Sequence, residues 1–259
     1  MKDILAEIVA EKKVAVSESK KNLPLQAMKV ELQTGRFSMS QAVRHKDWVL
    51  IAECKLQSPA KGRLCKAFSA DELAHIYEVN GAGILSVHTD KHFLGCNEDF
   101  RQIRQSVGLP LLRKDFIIDE YQIYESRFLG ADAILLIVRL LSAEQLKKYL
   151  YLAWALGMDA LLEVHDEKDI NKALATPAEF IGSNNRNLQS FTTSVANTYE
   201  LLPLLRGQGR VLISESGISE KEEAAGLYRA GLRGILVGEG LVKAEDIAAQ
   251  TAAFAAVAG

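Results

Sequence analysis

Cysteine is scarce in this chain: Cys54, Cys65 and Cys96 are the only three in 259 residues, with no C-x-x-C pair and no Cys/His cluster at zinc-ligand spacing. That argues against a disulfide framework and a structural metal, and reduced thiols are expected. Long apolar runs are missing too. No stretch reaches the roughly 18 uncharged apolar residues that span a bilayer. Met1 opens onto the charged run MKDILAEIVAEKK rather than a signal peptide, so a cytoplasmic protein without a membrane partner is expected. Charge of one sign is not in excess. A net charge of -2 and a pI near 6.2 leave no global positive field for nucleic acid, and no nucleic-acid motif is present. No linker rich in Pro, Gly or Ser divides the chain, so residues 1–259 read as one domain.

What is present is alternation. Residues 1 to about 45 read as a helical extension, with Ile4, Leu5, Ile8 and Val9 at helical spacing and a second stretch after Pro24. Eight short apolar runs follow: 49–54, 83–87, 109–112, 133–137, 160–164, 180–184, 211–215 and 234–238. Helical patterns at 69–82, 119–131, 142–157, 166–175 and 221–231 lie between them, several opening with Ser or Asp and closing with Gly. Continuously apolar strands alternating with helices predict a parallel sheet buried on both faces. Eight such units in this length predict an α/β fold, a (β/α)8 TIM barrel over 49–259 with an N-terminal helical extension over 1–45.

In such a barrel the site lies at the carboxyl ends of the strands. Glu53 and Lys55 end the first strand two residues apart, so both point into the mouth. Arg113 and Lys114 end the third, Glu163 the fifth, Asn184 the sixth with Arg186 beyond it, and Glu215 the seventh, followed by Ser216. Any one of these alone reads as a solvated rim residue. Their convergence on one rim points to a ligand, because charges are buried together only when they pair or serve one. After strands seven and eight, SESGIS and LVGEGL bring Gly217 and Gly238, which let backbone N–H groups approach an anion, and a short helix is expected to begin at Glu239 with its side chain facing away. Those glycines also suit simple tight turns. Ser58, in QSPAKG, is a further candidate phosphate donor, and Phe93, Phe116 and Leu188 are apolar candidates near the mouth, for an aromatic ligand or for core packing.

The segments IAECKLQSPAKG (51–62), SVHTDKHFLG (86–95), PLLRKDFIIDEYQI (110–123), GADAILLI (130–137), LLEVHDEKD (161–169), IGSNNRNLQSF (181–191), ISESGI (213–218) and VGEGL (237–241) resemble, in order, the motifs of the indole-3-glycerol-phosphate synthase family. That resemblance implies a carboxy-lyase of tryptophan biosynthesis that closes, decarboxylates and dehydrates 1-(2-carboxyphenylamino)-1-deoxyribulose 5-phosphate without a metal or organic cofactor. It implies Lys114 as general acid with Glu163 as its proton partner. Lys55 would hold the anthranilate carboxylate and assist dehydration with Glu53 as base. Asn184, Arg186, Glu215 and Ser216 would surround the sugar hydroxyls; Ser58, Gly217, Gly238 and Glu239 the phosphate; Phe93, Phe116 and Leu188 the aromatic ring. Lys114 is expected to have its pKa lowered toward neutrality by burial among cations.

The family commonly carries Ser where Ala60 stands and aliphatic residues where His88 and Ser183 stand, which leaves room for a paralogue of the same chemistry in a specialised indole pathway. Rival readings are sister phosphate barrels, such as phosphoribosylanthranilate isomerase or a tryptophan synthase α subunit, and a non-catalytic phosphate-binding barrel. The expected partner is the small sugar-phosphate substrate. The chain is expected to be a monomer, with association with other tryptophan-pathway enzymes left open.

Overall fold

The computed structural model describes residues 4–59, 61–186 and 192–258. Its strands are β1 (Val49–Cys54), β2 (Ile84–His88), β3 (Leu111–Lys114), β4 (Ala133–Ile137), β5 (Asp159–Val164), β6 (Phe180–Asn184), β7 (Val211–Glu215) and β8 (Gly234–Val237). Each pairs in parallel with the next, and β8 returns to β1 with Val49 opposite Gly234, so the sheet closes into an eight-stranded barrel. Three helices precede it, α1 (Ile4–Asn22), α2 (Leu25–Glu31) and α3 (Ser38–Arg44). Around it run α4 (Ala70–Val79), α5 (Asn97–Ser106), α6 (Glu120–Phe128), α7 (Ala143–Ala155), α8 (Glu167–Leu174), α9 (Ala196–Leu205), α10 (Lys221–Arg229), the short α11 (Glu239–Val242) and α12 (Ile247–Ala255). The expected barrel and extension are both present.

Local chemistry sets the boundaries. Ser69, Asp119 and Ser142 each accept a bond from the backbone of the first helical turn, and Glu72, Gln122 and Gln145 reach back to close capping boxes. The third strand begins two residues later than its apolar run suggests. Pro110 has no N–H to give to the ladder, so pairing starts at Leu111 and carries on through Arg113 and Lys114.

Alternation along the strands divides the apolar residues into two cores. Inside the barrel, Val49, Ile51, Ile84, Leu112, Leu135, Leu161, Phe180 and Ile213 pack with Met39 and Val43 of α3, which plugs the base. Residues such as Leu50, Leu85, Ile134 and Leu162 point outward and pack beneath the helices. The base holds a buried carboxylate as well. Asp159 accepts bonds from the backbone N–H (2.9 Å) and hydroxyl of Ser40, which join α3 to β5.

At the other end, α1 and α2 lie against α6, where Val16, Met28 and Tyr121 form a small cluster and the Tyr121 hydroxyl donates to the Ser19 and Leu23 carbonyls. Lys12 of α1 is anchored by Asp90 (2.7 Å) and Asp115 (2.6 Å). This holds the start of α1 across the mouth, and Ile4, Leu5 and Ile8 line the cavity there. No helix among the described residues is long and apolar enough to cross a membrane.

Candidate active site

The inward positions of β1, β2, β3, β5, β6 and β7 change from aliphatic to polar at their carboxyl ends. There Glu53, Lys55, His88, Lys114, Glu163 and Asn184 line a cavity of about 1020 Å³, whereas Glu215 of β7, expected against the sugar hydroxyls, is fully buried and is not part of the lining. Lys114 sits at its centre of charge, with its ammonium 2.6 Å from Glu215 Oε2 and 3.3 Å from Glu163 Oε2. Burial would lower the Lys114 pKa, but Glu215, Glu163 and Glu53 outweigh it and raise it above the ordinary lysine value. The expected lowering toward neutrality is therefore corrected. The neighbours that decide the sign are carboxylates, not cations.

The carboxylates divide by what faces each. Burial would raise Glu53, yet Lys55 at 3.5 Å and His88 at 2.8 Å hold it well below the usual carboxylate range. Glu163 is likewise lowered against burial by Lys114, His165 and a hydrogen bond from Asn184. Glu215 goes the other way: burial raises it to about 7 despite Lys114, with Glu163 adding repulsion. Its second oxygen, Oε1, is buried without a partner among the described residues. Three carboxylates around Lys114 cannot all be charged at low cost, and Glu215 is the one that retains its proton to the highest pH.

Two glycines make room for this layer. A Cβ on Gly182 of β6 would run into the Glu215 carboxylate, and one on Gly238 would run into Glu53. Gly238, singled out as a phosphate contact, thus has a second purpose, which is clearance for a buried acid. It lines the cavity together with Ser216, Gly217, Ser219, Glu239 and Lys243. Ser216 and Gly217 both adopt left-handed backbone (φ 67° and 74°), a conformation costly for serine. Helix α11 begins at Glu239 as expected, and its carboxylate bonds Lys61 and Lys243 at 2.7 Å each.

The remaining expected residues fall as follows. Lys55, Arg186, Phe93 and Phe116 line the cavity, with the two phenyl rings 6.3 Å apart and Lys55 Nζ 5.3 Å from the Phe93 centroid. Ser58 does not reach the wall. It is fully buried in the short hairpin after β1 with its hydroxyl unpartnered among the described residues, behind Pro59 and Lys61, which do line the cavity. Arg113, expected on the rim with Lys114, is corrected: strand alternation turns it outward to Thr89, Asp115, Glu125 and Ser126. Leu188 and Ala60 lie outside the described residues. Ser183 also faces outward, in a buried hydroxyl network with Thr198 and Ser214.

Sequence reasoning missed Lys12, whose partners are more than 70 residues away, and His165, whose Nε2 lies 3.3 Å from Glu163 Oε1. The V-H after Glu163 was the only available signal for His165. Among the described residues no group of three or more His, Cys, Asp or Glu side chains is arranged to hold a metal ion.

Known proteins give the arrangement its lineage. In solved structures the fold is shared by KGPDC from Streptococcus mutans (TM-score 0.63, 12% identity, 82% of this chain and 97% of that one). It is shared equally by 3-hexulose-6-phosphate synthase from Salmonella typhimurium (TM-score 0.66, 14% identity, 81% and 97%). At those identities the likeness concerns the barrel alone. Sequence likeness goes further. The chain is 48% identical over 200 residues to an indole-3-glycerol phosphate synthase of Desulforamulus reducens, covering 77% of this chain and 76% of that protein. It is 41% identical over 252 residues to that of Carboxydothermus hydrogenoformans, covering 93% and 96%. With the sequence model of indole-3-glycerol phosphate synthase matching residues 5–254, the chain belongs to the indole-3-glycerol phosphate synthase family.

Proposed function

We propose that this cavity converts 1-(2-carboxyphenylamino)-1-deoxyribulose 5-phosphate into indole-3-glycerol phosphate, carbon dioxide and water, in tryptophan biosynthesis. The observation that carries the reading is Lys114, a cation at the cavity floor held between Glu163 and Glu215. The ring carbon bearing the carboxylate is a weak nucleophile, and its attack on the ketone needs a proton delivered to the carbonyl oxygen as the π bond breaks and that oxygen becomes a hydroxyl. Lys114 is charged and placed to give that proton. Once neutral it lies 2.6 Å from Glu215, whose raised pKa of about 7 makes it a proton store able to recharge the lysine. Glu163 stays ionised and stabilises the cation on its other side.

Carbon dioxide then leaves, and its bonding pair restores the aromatic ring. In the final dehydration the new hydroxyl departs as water with a proton from a lysine, while a carboxylate takes a proton from the adjacent carbon. Glu53, held ionised beside Lys55, suits the base role, and Lys55 suits the substrate carboxylate before that group is lost. Asn184, Arg186 and Ser216 border the space for the sugar hydroxyls, and Phe93 and Phe116 offer faces to the anthranilate ring. The backbone around Ser216 and Gly217 and the start of α11, with Lys61 and Lys243 nearby, suit the phosphate. Ser58 backs that end.

The reading takes a cytoplasmic monomer that acts without a cofactor. The test is to mix purified protein with the carboxyphenylamino deoxyribulose phosphate and follow indole fluorescence with EDTA present. Growth of the signal is expected; silence from folded protein overturns the reading.

A further inference from the structure

His88 ends β2 on the inward face, buried and lining the cavity, where its Nε2 meets Glu53 Oε1 at 2.8 Å. Its ring lies flat on Phe93, with centroids 4.2 Å apart and planes 7° apart. Gly95 packs so closely that an added Cβ would strike the His88 backbone. The close Gly95 contact holds the His88 backbone, the stack on Phe93 orients the ring, and in that orientation Nε2 meets Glu53. On the opposite side, the second Glu53 oxygen occupies the space over Gly238 that a Cβ would take, with Lys55 at 3.5 Å. The carboxylate is clamped between β2 and β8 while its own strand lies between them.

We infer that His88 is a positioning residue for the dehydration base: as a neutral imidazole it donates Nε2–H to Glu53, keeps that carboxylate ionised, and fixes which oxygen faces the substrate. This rests on the proposed reaction above. A carboxylate only accepts, so the ring proton must sit on Nε2. The charged groups facing the ring are Glu53 of β1, Lys55 just beyond it and Lys114 of β3, and burial together with the two lysines lowers the imidazole pKa against the pull of Glu53. The contrast with Glu215 is internal to the site: Glu215 Oε1 has no donor among the described residues, and burial, with repulsion from Glu163 and Glu53, raises that acid to about 7 despite Lys114. Without His88, Glu53 would move toward the same condition.

The test compares His88→Leu with His88→Gln. Both lose the ring stacked on Phe93, but only glutamine can present an N–H where Nε2 stands. In His88→Leu we expect kcat to fall about 10-fold, typical of losing a residue that orients a catalytic group, with KM little changed and the acid limb of the kcat–pH profile moved to higher pH. His88→Gln is expected to restore both. Equal loss in the two variants, or a change in KM alone, would show that the ring only packs and overturns the inference, as would unchanged kinetics in His88→Leu. Independently of turnover, 15N-histidine spectra, with the His88 signal assigned by its absence in His88→Gln, should show a neutral Nε2–H tautomer at neutral pH. Any other form there overturns it. A wild-type protein that makes no product sinks the proposed reaction and this role together, whereas an active wild type with unaltered His88→Leu sinks this role alone.

Discussion

At the base of the barrel Val49 and Ile51 of β1, Ile84 of β2, Leu112 of β3, Leu161 of β5 and Ile213 of β7 face inward and are closed to solvent. Two to four residues further along the same strands stand Glu53, His88, Glu163 and Glu215, buried almost as deeply, and Lys114, partly buried. The same alternation and the same register build both layers, so the backbone does not distinguish them. The side chains do. Each aliphatic residue below contributes about 1.5–3 kcal/mol by leaving water. Above, ionising Glu215 at about 7 instead of the ordinary 4.5 corresponds to roughly 3 kcal/mol against the charged form. One pleat thus separates a layer that holds the barrel together from one that works against it and keeps protons available to a substrate.

The largest expected effect comes from emptying the upper layer of its central cation. Lys114→Met keeps the side-chain volume and removes the proton donor, and kcat should fall about 10³-fold, within the usual reach of a general acid. Thermal unfolding should change far less, because the mouth opens on a cavity where Glu163 and Glu215 can take up protons. Indole fluorescence and a melting curve on the same sample decide it; retained ring closure would remove Lys114 from the acid role. The converse substitution lies on β2, four residues below His88. Ile84→Ala should cost about 2–5 kcal/mol in urea unfolding, the range for an aliphatic core truncation, with kcat per folded molecule close to wild type. A parallel fall in kcat would mean that the two layers are not separable.

The lower layer was far more legible in the sequence than the upper. Apolar runs and their spacing fix the number of strands, because a strand buried on both faces must be apolar throughout. Glu53 and Lys55 could be placed in the mouth from their two-residue spacing alone. Arg113 and Lys114 could not be told apart, since which of two adjacent residues faces inward depends on where the strand begins, and Pro110 delays that start. The pKa of Lys114 depends on register across the barrel, which sets His88 beside it and Glu215 beside Asn184. No local pattern carries that information. Lys12 was illegible for the same reason: its two acids lie on the loops after β2 and β3, far away along the chain. His88 stood out in the sequence only as a departure, and its bond to Glu53 gives that departure a physical content.

The smallest expected effect isolates the conflict within the upper layer. Glu215 is raised to about 7 in the folded protein from an ordinary value of 4.5, so between those pH values the native protein holds a proton that the unfolded chain has released. Stability contributed by this group is therefore fully present at the acid end of that window and is lost as pH rises through it, by up to roughly 3 kcal/mol for one such group. Glu53 and Glu163, both lowered, have the opposite slope at more acid pH, so a single wild-type curve would mix the three. Glu215→Gln removes this one titrating carboxyl and keeps its size, while every other group titrates alike in the two proteins. Subtracting wild-type urea-unfolding free energies from those of the variant at pH 5, 6, 7 and 8 should give a difference that moves in favour of the variant as pH increases, most steeply between 5 and 7. A flat difference would mean that Glu215 is already ionised against Lys114 at pH 5. The 2.6 Å contact would then be a simple ion pair, and the proton that recharges the lysine would have to come from elsewhere.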